Sequence, residues 1–138
     1  MTPASRLAAL AGTWRTRRVL RHADGTWARF AGESVWSPEG ALLRCVEAGT
    51  LWQGGQGFAA RRETLWRASP GGIEVLFADG RPFHCIGEDL RARHDCAPDL
   101  YRLRYAFGAW PRWSVRWRVT GPRKDYRALT RYERAAPP

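Results

Sequence analysis

The sequence predicts an all-β protein, one antiparallel up-and-down barrel of about ten strands behind a short helical turn. Three observations lead there. Alternation of period two dominates the chain from residue 13 to residue 134. Turn signals recur between the alternating stretches: ADG, SPEG, QGGQG, SPGG, a second ADG, GED, CAPD, GAWP and TGPR. Their Gly, Pro and Asp residues supply the backbone angles of tight connections. Eight tryptophans among 138 residues suit half-buried pleated surfaces. A β-sandwich is the rival arrangement.

Taken in order, residues 3–11 form the helical turn, with Leu7 and Leu10 inward. Strands follow at 13–21, 26–36, 41–52, 57–67, 73–79, 81–86, 90–96, 99–108, 112–120 and 124–134. Alternation then assigns faces. Asp99, Tyr101, Leu103, Tyr105 and Phe107 point one way, Arg102 and Arg104 the other. Trp113, Val115, Trp117 and Val119 oppose Arg112, Ser114, Arg116 and Arg118. Lys124, Tyr126, Ala128, Thr130 and Tyr132 oppose Asp125, Arg127, Leu129 and Arg131. The same rule turns Glu47 inward with Leu43 and Cys45, Arg62 with Phe58 and Trp66, and His94 and Cys96 with Ala92. The interior is therefore polar in part, and its charges must pair, hydrate or meet a ligand.

At 138 residues the chain is one domain, 1–138. Hydrophobic residues make up 44%, enough for a core. No apolar run approaches the ~20 residues of a membrane helix. The opening MTPASRLAALAGTW is too short in apolar residues for a secretory signal. Three cysteines, Cys45, Cys85 and Cys96, argue against a disulfide framework. A cytoplasmic location is expected. The net charge of +10 favours anionic partners, although arginine-rich codon usage accounts for it equally.

The segment LAGTW sets Gly12 and Trp14 just before the first strand. It resembles the opening of lipocalins and their calycin relatives. In those families the tryptophan plugs the barrel base against an arginine from a late strand, a part for Arg134 or Arg118 here. The whole chain, from LAGTW to RYER through FADGRPFH, HDCAPDLYRLRY and RVTGPRKDY, resembles the bacterial domain-of-unknown-function family 6314. That resemblance implies a calycin-like barrel and brings no established activity.

Two motifs, DGRPFH and HDCAPDLY, gather Arg81, His84, His94, Cys96, Asp99 and Tyr101. A neutral imidazole beside a carboxylate is an acid–base pair, and a hydrogen-bonded polar network is the structural alternative. Metal is set aside, because Cys-x-x-Cys and His-Glu-x-x-His spacings are missing. Heme on His94 is set aside too, because Arg62, Glu47 and Lys124 make the pocket too polar for its faces. No cofactor is expected. Lys124 is the only lysine among 23 basic residues. It faces inward beside Tyr126, with an ion pair to Glu47 or Asp99 as its structural reading.

The resulting expectation is a small, anionic, partly aromatic ligand in the barrel interior or mouth. Arg62, Arg81 and Lys124 hold its anionic group, beside Glu47. Tyr101, Tyr126 and Tyr132 supply hydrogen bonds and ring contacts, and His84 and His94 orient a polar group. The second reading is an enzyme of isomerase, lyase or hydrolase type. It uses His94 as acid or base, Asp99 as its orienting partner, and Tyr126 or Lys124 as electrophile. The third is nucleic-acid binding by an outer face bearing Arg102, Arg104, Arg116, Arg118, Arg127 and Arg131. It ranks last, because a convex barrel face fits a single strand poorly. Ligand identity, the occurrence of any reaction, oligomeric state and barrel closure stay open at this level.

Overall fold

The structure, a computed structural model, describes residues 2–135. Thr2 opens it as the N-cap of helix α1, Pro3–Leu10. The Thr2 hydroxyl accepts from the Ser5 N–H, and the Ser5 hydroxyl accepts from the Thr2 N–H. This reciprocal capping box, with proline in the first turn, fixes where so short a helix begins. Leu7 and Leu10 are its buried residues.

Ten strands follow: β1 Gly12–His22, β2 Trp27–Glu39, β3 Leu42–Gln53, β4 Gln56–Ser69, β5 Gly72–Phe77, β6 Pro82–Ile86, β7 Arg91–Cys96, β8 Asp99–Ala106, β9 Trp113–Thr120 and β10 Asp125–Arg134. All ten expected strands are present, with ends shifted by three residues or fewer. They form one sheet in the order β6-β5-β4-β3-β2-β1-β10-β9-β8-β7, every pair antiparallel. This is the up-and-down barrel, and the single sheet excludes the sandwich. The barrel is nearly closed. No ladder joins β6 to β7, which lie side by side. Phe83 of β6 meets His94 of β7 edge-to-face across this seam, with ring centroids 5.2 Å apart.

One end is plugged. Trp14 is fully buried and donates its indole N–H to the Leu10 carbonyl at 2.8 Å. Arg134, from the last strand, lies over the Trp14 ring at 4.0 Å. It also donates to the Ala9 and Ala11 carbonyls at 2.6 and 2.9 Å, which satisfies the helix C-terminus. Of the two arginines expected for this part, Arg134 plays it; Arg118 instead pairs with Asp125 on the outer face. Around the plug, Trp36, Trp66, Trp113, Tyr105, Phe107 and Tyr132 build an aromatic core.

Alternation holds along the strands, so Glu47, Arg62, Tyr101 and Tyr126 share the inward parity of their buried neighbours. Gly32 and Gly49 face each other where β2 and β3 come closest. A Cβ on either would strike the opposite backbone, so no side chain fits there. Just on the plug side of this pair the interior turns polar, at Ser34 and Glu47.

Candidate functional site

Glu47 sits at mid-barrel, 4% exposed. Arg18 of β1 grips it with both guanidinium arms, Nη1 to Oε2 at 3.0 Å and Nη2 to Oε1 at 2.9 Å. Arg62 of β4 brings Nε to 2.9 Å from Oε2. The Ser34 hydroxyl donates to Oε1 at 3.3 Å, and Arg18 Nε donates to Thr130 Oγ1 at 2.7 Å. Two-pronged arginine–carboxylate bonds of this kind are strong and fix orientation. Burial alone would raise the Glu47 carboxyl pKa; Arg62 and Arg18 outweigh it and hold it below the ordinary range. Burial likewise works against Arg18, and Glu47 more than compensates. The group thus keeps two cations and one anion, a surplus of one positive charge.

Beside it opens a cavity of about 200 Å³, lined by Arg18, Glu47 and Arg62 together with the apolar Leu20, Phe30 and Leu51. The Arg62 side chain is 44% exposed, and its guanidinium lies 5.4 Å from the Trp117 ring. Arg62 therefore reaches from the buried carboxylate toward solvent. Cys45, below Glu47, is an inert thiol, its pKa pushed up to about 12 by burial and by the Glu47 charge.

His84 is buried on β6, its Nε2 2.7 Å from the Tyr105 hydroxyl. Its Nδ1 and the Trp117 Nε1 are buried with no hydrogen-bond partner among the described residues. The two rings are 6.4 Å apart. Burial, then Arg62, then His94 push the His84 pKa from 6.5 down to about 3. The unfolded chain takes up this proton near pH 6.5 and the folded one does not. Stability is therefore full above pH 6.5 and falls on acidification by about 1.4 kcal/mol per pH unit toward the folded value. Urea unfolding of wild type and His84→Gln between pH 6.5 and 4.5 checks this, since Glu47 is still ionised there. The wild type is expected to lose stability across that window and the variant much less. Equal slopes would mean that His84 does not resist protonation in the fold.

The end opposite the helix is built by the two motifs. Lys124, just before β10, donates to the Tyr101 hydroxyl at 2.9 Å and lies 3.3 Å from Asp99 Oδ2. Both contacts raise its pKa, Tyr101 first. A side chain at Gly121 would strike the Asp99 carboxylate, so the TGPRKDY turn packs directly on HDCAPDLY. The compact ammonium of the single lysine satisfies a phenol and a carboxylate at once. Of its two anticipated ion pairs, the Asp99 one forms and the Glu47 one does not, because the arginines occupy Glu47.

The expected site residues divide accordingly. Glu47 and Arg62 come together at the cavity. His94, Tyr101 and Lys124 gather at the open end, where His94 packs among Phe77, Phe83 and Tyr101. Tyr126 is partly buried on the inner side of β10, 5.7 Å from His22. Tyr132 is stacked on Trp113 at 3.9 Å inside the aromatic core, with its hydroxyl pKa raised by burial and Glu47. Arg81 is not brought to the interior. Its N–H and Nε both bond Asp79 in an exposed turn, and a register shift between β5 and β6 sets in next to it. No hydrogen bond joins His94 to Asp99 among the described residues, because Asp99 is turned to Lys124. Cys96 is exposed at the strand end rather than inward. No group of three or more His, Cys, Asp or Glu side chains converges among the described residues. Arg18, the strongest partner of Glu47, escaped the sequence reading. Its signal was the alternation Trp14, Thr16, Arg18, Leu20.

The profile of the family of unknown function DUF6314 matches residues 10–134. The chain belongs to that family. No curated protein sequence matches it. Among solved structures, the S-type phycobiliprotein lyase CPES from Guillardia theta is similar, with a TM-score of 0.70 and 11% identity, over 100% of this chain and 95% of that one. At that identity the likeness is one of fold, a calycin-like barrel.

Proposed function

We propose that this DUF6314 member binds a small, anionic, partly aromatic molecule inside its barrel, with the anionic group on Arg62 and Arg18. The surplus positive charge of the Arg18–Glu47–Arg62 group, beside a cavity with apolar walls, is the observation that supports this reading. One carboxylate would neutralise it, and Phe30 offers a ring face. A cavity of about 200 Å³ calls for a ligand smaller than the usual drug-sized occupant of such sites. The similar structure carries the name of a lyase, so this fold accommodates enzymes. The enzyme reading has narrower support here, since His94 and Asp99 do not pair. The exposed free thiols of Cys85 and Cys96 favour a reducing, cytoplasmic setting.

Thermal-shift titration with benzoate, acetate and phosphate tests the proposal. Benzoate at a hundred times its Kd adds about 2.7 kcal/mol, a rise of roughly 10 °C for a chain of this size. The rise is expected to disappear in Arg62→Met and to persist in Arg81→Met. An equal rise in Arg62→Met would place any binding elsewhere.

A further inference from the structure

The second concavity lies on the outer wall of the barrel. It is an open groove of about 1130 Å³ over β7–β10 and β1. The strand register lays arginines along it in two rows. Arg93, Arg102, Arg118, Arg127 and Arg21 stand directly opposite one another on five neighbouring strands, and the row ends on Trp27. The adjacent row runs Arg91, Arg104, Arg116, Leu129, Val19 and Arg29, and ends on Trp52. Between the rows the floor is Leu103, Trp117 and Ala128, whose side chains face the interior. Strand spacing sets successive arginines about 4.8 Å apart.

Like charges placed directly across a ladder destabilise it. Only Arg93 and Arg118 of these arginines have an ion-pair partner among the described residues, Asp95 and Asp125. Six in the groove, Arg21, Arg91, Arg102, Arg104, Arg116 and Arg127, have none. The opposite wall shows the contrast. There Arg44 pairs with Glu39 and Glu63, Arg61 with Glu63, and Arg67 with Glu74. Codon usage explains many arginines; it does not explain why most arginines of the groove lack an acidic partner while those of the opposite wall have one. Trp27 and Trp52, 55% and 41% exposed, stand at the end of the rows, with Arg21 over Trp27 at 5.3 Å.

We propose that this groove binds single-stranded nucleic acid, the arginine rows tracking the phosphates and Trp27 and Trp52 stacking bases. A charged groove with exposed aromatic rings is the combination that holds single strands without sequence preference. The objection that a convex barrel wall fits a strand poorly fails here, because the wall carries a groove. The interior cavity is a separate site, and neither depends on the other.

Fluorescence anisotropy with a labelled oligothymidylate of about 15 nucleotides tests the proposal. With six unpaired arginines engaged, log K should fall against log salt with a slope near −4. Arg104→Glu with Arg116→Glu should lower affinity by at least about tenfold and flatten the slope. Arg67→Glu with Arg112→Glu, the same charge change outside the groove, should weaken binding far less. Trp27→Ala should lower affinity about tenfold and leave the slope unchanged. Circular dichroism confirms that each variant is folded. Equal losses in both double variants would overturn the proposal. So would binding of polyglutamate or phosphatidylserine vesicles as tight as that of the oligonucleotide, with Trp27→Ala silent.

Discussion

Glu47→Ala is expected to destabilise the protein by roughly 3–5 kcal/mol, the cost of leaving a buried charge without its partner. Arg18 carries most of that cost, because its side chain is 12% exposed and every Glu47 contact it makes is lost. Arg62 carries less, since its 44% exposure lets solvent screen it. A domain with a total stability of about 5–15 kcal/mol then has little left, so the variant should unfold at much lower denaturant. Glu47→Gln keeps one acceptor oxygen but loses the charge and turns an NH2 donor toward the remaining donors, so it should fall between wild type and Glu47→Ala. Equilibrium urea denaturation reads the series. A loss below about 1 kcal/mol for Glu47→Ala would mean that water already reaches Arg18.

Trp14→Ala should cost about 3–5 kcal/mol, in the range of large-to-small changes in closed cores. The indole is fully buried, edge-on to Trp110 at 5.4 Å and Trp113 at 5.9 Å, and bonded to the helix end. Its loss removes the ring under Arg134 and one of the bonds that hold α1 to the barrel. A double-mutant cycle with Arg134→Ala should therefore show coupling of about 0.5–2 kcal/mol. Strict additivity would mean that plug and clamp act independently.

These two sites also mark what the sequence discloses. Trp14 is legible because a Gly-x-Trp ahead of a first strand is a local pattern, and a late arginine over it is implied by resemblance. Glu47 and Arg62 are legible because period-two alternation forces a polar side chain inward wherever its neighbours are apolar. Arg18 obeys the same rule, but among RTRRV it looks like any other arginine. What singles it out is Glu47, 29 residues away, across two ladders. Arg81 misled for the opposite reason. It belongs to a motif with His84, but an Asx-type turn on Asp79 and the irregular register at Pro82 detach it from that strand's faces. The partner of Lys124 depends on the packing of Gly121 against Asp99, which no spacing reveals. The outer groove is a property of sheet curvature, invisible to alternation, although alternation placed its arginines correctly.

The central claim is that the Arg18–Glu47–Arg62 group holds an anion inside the barrel. Native mass spectrometry tests it most directly, with wild type and Arg62→Met purified alike and measured with and without added benzoate. The account predicts an added mass of a small organic anion on the wild-type protein, absent from Arg62→Met and from both proteins once denatured. The same adduct on both proteins, or none on the wild type at any benzoate concentration, would contradict it.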